Sequence, residues 1–183
     1  MDDMKAALKA YFGKLINYNM KHYKKNPTVC YSDELNKLLL TSNVDQDGNV
    51  EWLPFEQKKI SALTDIEKTV GVVLCDELKS YYSSYLFLTL EGKYENVYLY
   101  FQAISSADAI KRIIIQQQKD GLFYFPNSYT FLLGNAVIKN NDGFLIFLDN
   151  QSSKVFCYEP DRKEKHIFQK SLANIISEME IIT

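Results

Sequence analysis

Cysteine is scarce in this 183-residue chain. Its three thiols, Cys30, Cys75 and Cys157, are far apart and odd in number. That excludes a disulfide framework and a C-x-x-C motif, and fits small buried apolar groups in a reducing cytosol. Glycine is also sparse: seven dispersed residues form neither G-x-G-x-x-G nor a Walker pattern, so no phosphate-cradling loop is encoded. The two histidines, His22 and His166, stand alone, without partners at metal-ligand spacing. No apolar run approaches a membrane span, and Met1-Asp2-Asp3-Met4 does not read as a secretory leader. Nor is there a surplus of positive charge, with 21 Lys and Arg against 23 Asp and Glu. A nucleic-acid binder driven by phosphate attraction is thereby excluded.

Nucleophile motifs are missing as well: there is no G-x-S-x-G elbow and no Cys/His protease signature. Asp45, Asp47 and Asn49 are spaced like the start of a calcium loop, with Glu56 at the twelfth place. Val50 fills the sixth, where the sharp turn needs glycine, so the segment reads as a plain turn. Asp76-Glu77 reads as a helix start instead of an acid/base pair. The expectation is a non-catalytic protein without metal or cofactor.

What is present is ordinary for a globular fold: 46% apolar and 24% charged residues. A chain of this length buries roughly 70% of its unfolded surface, and a single domain over residues 1–183 is expected. Met4, Leu8, Tyr11, Phe12, Leu15, Ile16 and Tyr23 recur at helical spacing, predicting a helix over 1–25 that stops at Asn26-Pro27. Its six Lys against two Asp admit two readings, a surface helix packed by one face or a basic helix on a membrane or acidic partner. The first is favoured. Ser32 is the expected N-cap of a helix through Leu40. Residues 45–49 are a turn, and 50–55 are extended, with Pro54 placing them at an edge. Thr64 and Glu67 form a capping box for a helix that Gly71 ends, and Asp76 and Glu77 open the next. Residues 85–90 and 97–101 read as a hairpin turning at Glu91-Gly92-Lys93. Ser106 and Asp108 start a helix that Gly121 ends. Strands are expected at 129–133, 136–139, 144–149 and 154–158, with a tight turn at Asn141-Asp142-Gly143. Ser171 caps a final helix. This order predicts an α+β fold, a largely antiparallel β-sheet flanked by helices.

Charge is unevenly spread. Residues 1–44 carry a net charge of +3, residues 45–100 carry −5, and the remainder is neutral. The acidic middle also holds the only tryptophan, Trp52, beside Glu51. An aromatic rimmed by charge is a common interface anchor, and an acidic surface steers a basic partner. Asp45, Asp47, Glu51, Trp52, Glu56, Asp76 and Glu77 are therefore the candidate partner-binding residues. The alternative puts Trp52 in the core and the acids on a solvated face.

Ile66-Glu67, Val70-Gly71, Leu74-Cys75-Asp76-Glu77-Leu78 and Tyr81-Tyr82 resemble the signature helix pair of the SUKH superfamily, with Cys75 where proline is usual. Residues 144–149, Lys154-Val155 and Ser171-Leu172 resemble its last strands and helix. Within the superfamily the chain is most similar to the Syd family of SecY-interacting proteins. The shared features are its length, the first helix ending before Pro27, Asp33-Glu34-Leu35, Val50-Glu51-Trp52 with Pro54, and the helix over 105–119. The resemblance implies a non-catalytic, cytoplasmic protein-binding module. Its partner would be a cognate toxin domain, neutralised by an immunity protein, or the basic cytoplasmic loops of the SecY translocon, met peripherally at the membrane without insertion. A translocon binder is expected to be clearly acidic, and this chain is only at −2. An immunity protein is therefore the expectation and SecY binding the alternative.

Overall fold

The computed structural model describes residues 3–57 and 63–182. Helix α1 (Asp3–Tyr23) follows from its period: Met4, Ala7, Leu8, Tyr11, Phe12 and Leu15 form its buried face. Tyr23 leaves the expected stripe and is exposed, because the helix buries nothing beyond Leu15. Lys24 takes a left-handed φ of 58° just before Asn26-Pro27. Strand β1 (Thr28–Cys30) then pairs antiparallel with β2 (Asn49–Glu51). The helix expected from Ser32 does not form. The Ser32 hydroxyl accepts the Glu34 amide in a turn, and only a 3-10 turn at Lys37–Leu39 follows. Asn36 explains this: its side chain accepts the Leu38 amide and donates to the Ser105 carbonyl, holding the chain where Leu40 can bridge to Trp52.

Strand β3 (Phe55–Glu56) pairs with β4 (Tyr85–Leu86). Helix α2 (Leu63–Val70) already includes Thr64, which is therefore not its N-cap, and the residues just before Leu63 lie outside the described ones. The Glu67 carboxylate reaches forward instead, accepting the Leu74 amide and pairing with Lys79. Gly71, at φ +70°, ends α2 as expected. Helix α3 (Asp76–Ser84) opens at the predicted residue.

Gly92, expected in a turn, Gly121, expected to end a helix, and Gly134, between two expected strands, are instead places where another backbone passes. Gly92 lies inside β5 (Leu90–Tyr94), and a Cβ there would meet the Glu180 carbonyl at 2.7 Å. The turn to β6 (Val97–Phe101) falls at Glu95-Asn96, with Glu95 at φ 54°. Helix α4 (Ala107–Tyr124), capped by Ser106, runs on through Gly121, where a Cβ would stand 2.0 Å from the Thr130 carbonyl. The two strands expected at 129–139 are one bulged strand, β7 (Thr130–Ile138), in which Gly134 admits the Tyr100 carbonyl. Lys139 and Asn140, both at positive φ, make the turn into β8 (Asn141–Asp149), so Asn141-Asp142-Gly143 belongs to the strand. Strand β9 (Lys154–Glu159) forms as predicted. Strand β10 (Glu164–Ile167) has no counterpart in the sequence reading, because Glu-Lys-His lacks an apolar alternation. Ser171 caps α5 (Leu172–Glu178) by accepting the Asn174 amide.

Strands β5 to β10 form one antiparallel sheet in the order β10-β9-β8-β7-β6-β5. One face joins the helices in a continuous core that includes Leu99, Ala136, Ile146 and Cys157 with Leu8, Tyr81, Ile114 and Ile175. The fold is α+β, helices against a largely antiparallel sheet. The thiols provide a check on this core. Burial pushes the Cys157 thiol up to about 12, whereas Cys30 is exposed. A thiolate-specific reagent at neutral pH is expected to label Cys30 first and Cys157 only after unfolding. Labelling of native Cys157 as fast as Cys30 would contradict the packing of β9.

Candidate functional site

The seven residues singled out by sequence do not share a surface. Trp52 is completely buried, its ring edge-on to Phe12 at 6.3 Å between centroids. It lies in the core and presents nothing to a partner. Asp45, Asp47 and Glu51 gather near the C-terminal end of α1. Asp45 accepts the amides of Asp47 and Asn49 and lies 3.9 Å from Lys25, while Glu51 accepts the Asn26 amide. Glu56 sits toward the other end of α1, a helix roughly 30 Å long, in a 2.6 Å ion pair with Lys5. The Lys5 ammonium and the Tyr85 hydroxyl hold its carboxyl below the usual range.

Asp76 and Glu77 open α3 beside Asp3, in a hollow of about 280 Å³ that Ser171 and Ala173 also line. Glu77 is turned inward. Its carboxylate accepts the Ala173 amide at the start of α5, and burial pushes it up despite the Ala173 and Leu172 amides and the Ser171 hydroxyl. Asp47 and Asp76 are exposed or half-buried, and neither is turned into the core as Glu77 is. The acidic middle of the sequence is thus dispersed along α1, and much of it already has partners within the fold.

A different surface is more open. In β6, Val97, Leu99 and Phe101 face the core, while Tyr98 and Tyr100 face the other way, 40% and 36% exposed. Register sets Lys93 beside Tyr98 and Glu91 beside Tyr100 on one side, and Val137 and Asn135 beside them on the other. Leu145 on β8 and Tyr158 on β9 continue the row. The Lys93 ammonium stands 5.9 Å from the centre of the Tyr98 ring. Toward β9 this outer face is roofed. Phe125, at the C-terminal end of α4, packs on Phe147, Phe156 and Tyr158, and the Lys165 ammonium lies 3.6 Å over Phe156. Toward β5 no such cover is present among the described residues.

The open part offers aromatic faces with hydroxyl tips, flanked by one acid and one base, Glu91 and Lys93, a mixture that suits a protein contact surface. The signal is in the sequence: in Val97-Tyr98-Leu99-Tyr100-Phe101 tyrosines alternate with apolar residues, which separates a core face from an outer one. No described helix is long and apolar enough to cross a membrane.

The family model of the Syd protein (SUKH-2) matches residues 5–118, which run from α1 into α4 and include α2, α3 and the β5–β6 hairpin. No curated protein matches the chain. With more than half of its length matched by that model, this chain belongs to the Syd (SUKH-2) family.

Proposed function

We propose that this chain is a non-catalytic immunity protein, which binds a cognate toxin domain one-to-one and blocks it, with the open sheet face around Tyr98 and Tyr100 as its contact surface. Membership of the family supports a protein-binding role. The observation that carries the reading is the half-exposed tyrosine pair on the uncovered part of the sheet face, between Lys93 and Glu91. Large, rigid aromatic side chains are what a tight interface buries at its centre. A toxin domain is preferred over basic translocon loops because the acidic residues are spread along α1 and several are engaged internally. Asp47 and Asp76, whose side chains reach solvent, are proposed as secondary contacts.

The test is affinity capture with the tagged chain and with its Tyr98→Ala/Tyr100→Ala variant, followed by co-expression of the captured polypeptide. The expected partner is stoichiometric, toxic when expressed alone and harmless beside the wild-type chain. The double variant is expected to bind on the order of a hundredfold more weakly. Its melting temperature should stay within about 2–4 °C of the parent, since both rings are partly solvated already. Capture of SecY, lost at high salt, would overturn the immunity reading. Undiminished binding by the double variant would move the contact surface elsewhere.

A further inference from the structure

A second recess lies on the helix-side face of the sheet, at the end where β7 turns into β8 and β9 turns into β10. It is a hollow of about 550 Å³, walled by Ile138, Phe144, Lys139, Arg162, Glu164 and His166. All of these lie beyond residues 5–118, the span matched by the family model. The hollow has the volume of a ligand site, and its wall is mostly polar, with Ile138 and Phe144 as the apolar part.

Its charge balance is cationic. Lys139 and Arg162 are exposed and form no ion pair among the described residues, and Glu164 is the one acid in the wall. Arg162 is one of only two arginines in the chain, and a guanidinium presents a planar fork suited to a carboxylate. The neighbouring acid, Glu159, does not neutralise it. Glu159 is buried, with its two oxygens accepting the amides of Asp161 and Arg162, and so fixes the turn that carries Arg162. Lys165 also lines the hollow, but its ammonium is drawn to the opposite face over Phe156. His166 Nε2 is buried and has no hydrogen-bond partner among the described residues. A buried nitrogen in that state is costly and gains from a small shift toward an incoming acceptor or donor.

The edge of the sheet indicates what form the anion takes. Strand β10 is the end strand and, among the described residues, pairs with β9 alone. The opposite edge differs: β5 is met by the Glu180 segment. A free strand edge beside a pocket is the geometry in which an extended peptide adds a strand and places alternate side chains into the pocket.

We propose that β10 and this hollow receive an extended segment of a protein partner, laid along the strand edge, with one acidic side chain seated between Arg162 and Lys139. This rests on the protein-binding reading above and names a contact that the tyrosine face does not include.

The test is titration of the isotope-labelled full chain with acetyl-Thr-Val-Glu-Val-Thr-amide, followed by NMR at the His166 ring and the β10 amides. The same peptide with Lys in place of Glu, and inorganic phosphate, are run in parallel. Saturable shifts with the Glu peptide, slowed amide exchange along β10, and binding weaker by about tenfold or more in Arg162→Gln and in Lys139→Gln are expected. Both side chains are exposed, so these variants keep the fold. No saturable shift, equal response to the Lys peptide, unchanged binding by Arg162→Gln, or phosphate alone saturating the same resonances would each overturn the proposal. Tyr98→Ala/Tyr100→Ala is expected to bind the peptide normally. A failed titration therefore removes this site alone, whereas failed capture of any partner removes the binding reading itself.

Discussion

Trp52→Ala is expected to lower stability by about 3–5 kcal/mol, a fall in melting temperature of roughly 6–20 °C for a chain of this size. The ring is completely buried and packs against Phe12, which in turn touches Tyr85 and Phe87. Truncation removes one arm of an aromatic cluster, centred on Phe12, that joins α1, the β2 segment and the strand after α3. The backbone of Trp52 is also committed, its amide donating to the Pro27 carbonyl. Neighbours held on both sides cannot collapse into the space, and that places the cost at the upper end of large-to-small changes. Measured well below the new transition, partner affinity should be nearly unchanged, because the lost interactions are internal. Thermal unfolding and a binding isotherm on the same preparation separate the two effects. A normal melting temperature with lost binding would put the ring at the interface and contradict its place in the core.

Gly121→Ala is expected to be as damaging despite adding a single methyl group. The new Cβ would stand 2.0 Å from the Thr130 carbonyl oxygen and 2.7 Å from its carbon. Both atoms belong to backbone that is itself held in β7, so no flexible side chain can move aside. Either α4 lifts from the sheet or the start of β7 shifts, at a cost of about 3 kcal/mol or more. Gly13 provides the internal control. It lies within α1, and a methyl group added there would meet no other atom within 4 Å beyond its own helix backbone and chain neighbours. Gly13→Ala should therefore stabilise by about 0.5–1 kcal/mol through helix propensity. Denaturant unfolding of both variants checks the pair. Equal tolerance at the two positions would refute the close approach of α4 to β7.

The contrast between these glycines explains what could be read from sequence. Caps and helical periods are legible because their causes are local: Ser106 and Ser171 each satisfy an amide three residues on, and Gly71 adopts a conformation that other residues resist. Gly92, Gly121 and Gly134 have distant causes, the carbonyls of Glu180, Thr130 and Tyr100, and a local reading places a turn, a helix end and a strand break there. The seven candidate residues are not brought together for a related reason. Residues 45–56 are near neighbours in sequence, yet Asp45 and Glu56 pair with lysines near opposite ends of α1. Tyr98 and Tyr100 were legible as one face of a strand. That the face stays open depends on how far Phe125 reaches across the sheet, which strand periodicity does not encode.

The contact between the first and last helices has a consequence for synthesis. Lys14 of α1 donates to the carbonyls of Ser177 and Met179 at the end of α5, bonds that span 163 and 165 positions. At about 5–20 residues per second, α1 emerges from a translating ribosome roughly ten to thirty seconds before α5 exists. During that interval Leu8, Tyr11 and Phe12 lack part of the surface that buries them. Contacts this distant in sequence close late and slowly. The finished core, and with it any capacity to hold a partner, therefore arises after translation of the final helix, so a nascent chain should be inert toward its partner and dependent on early protection of α1.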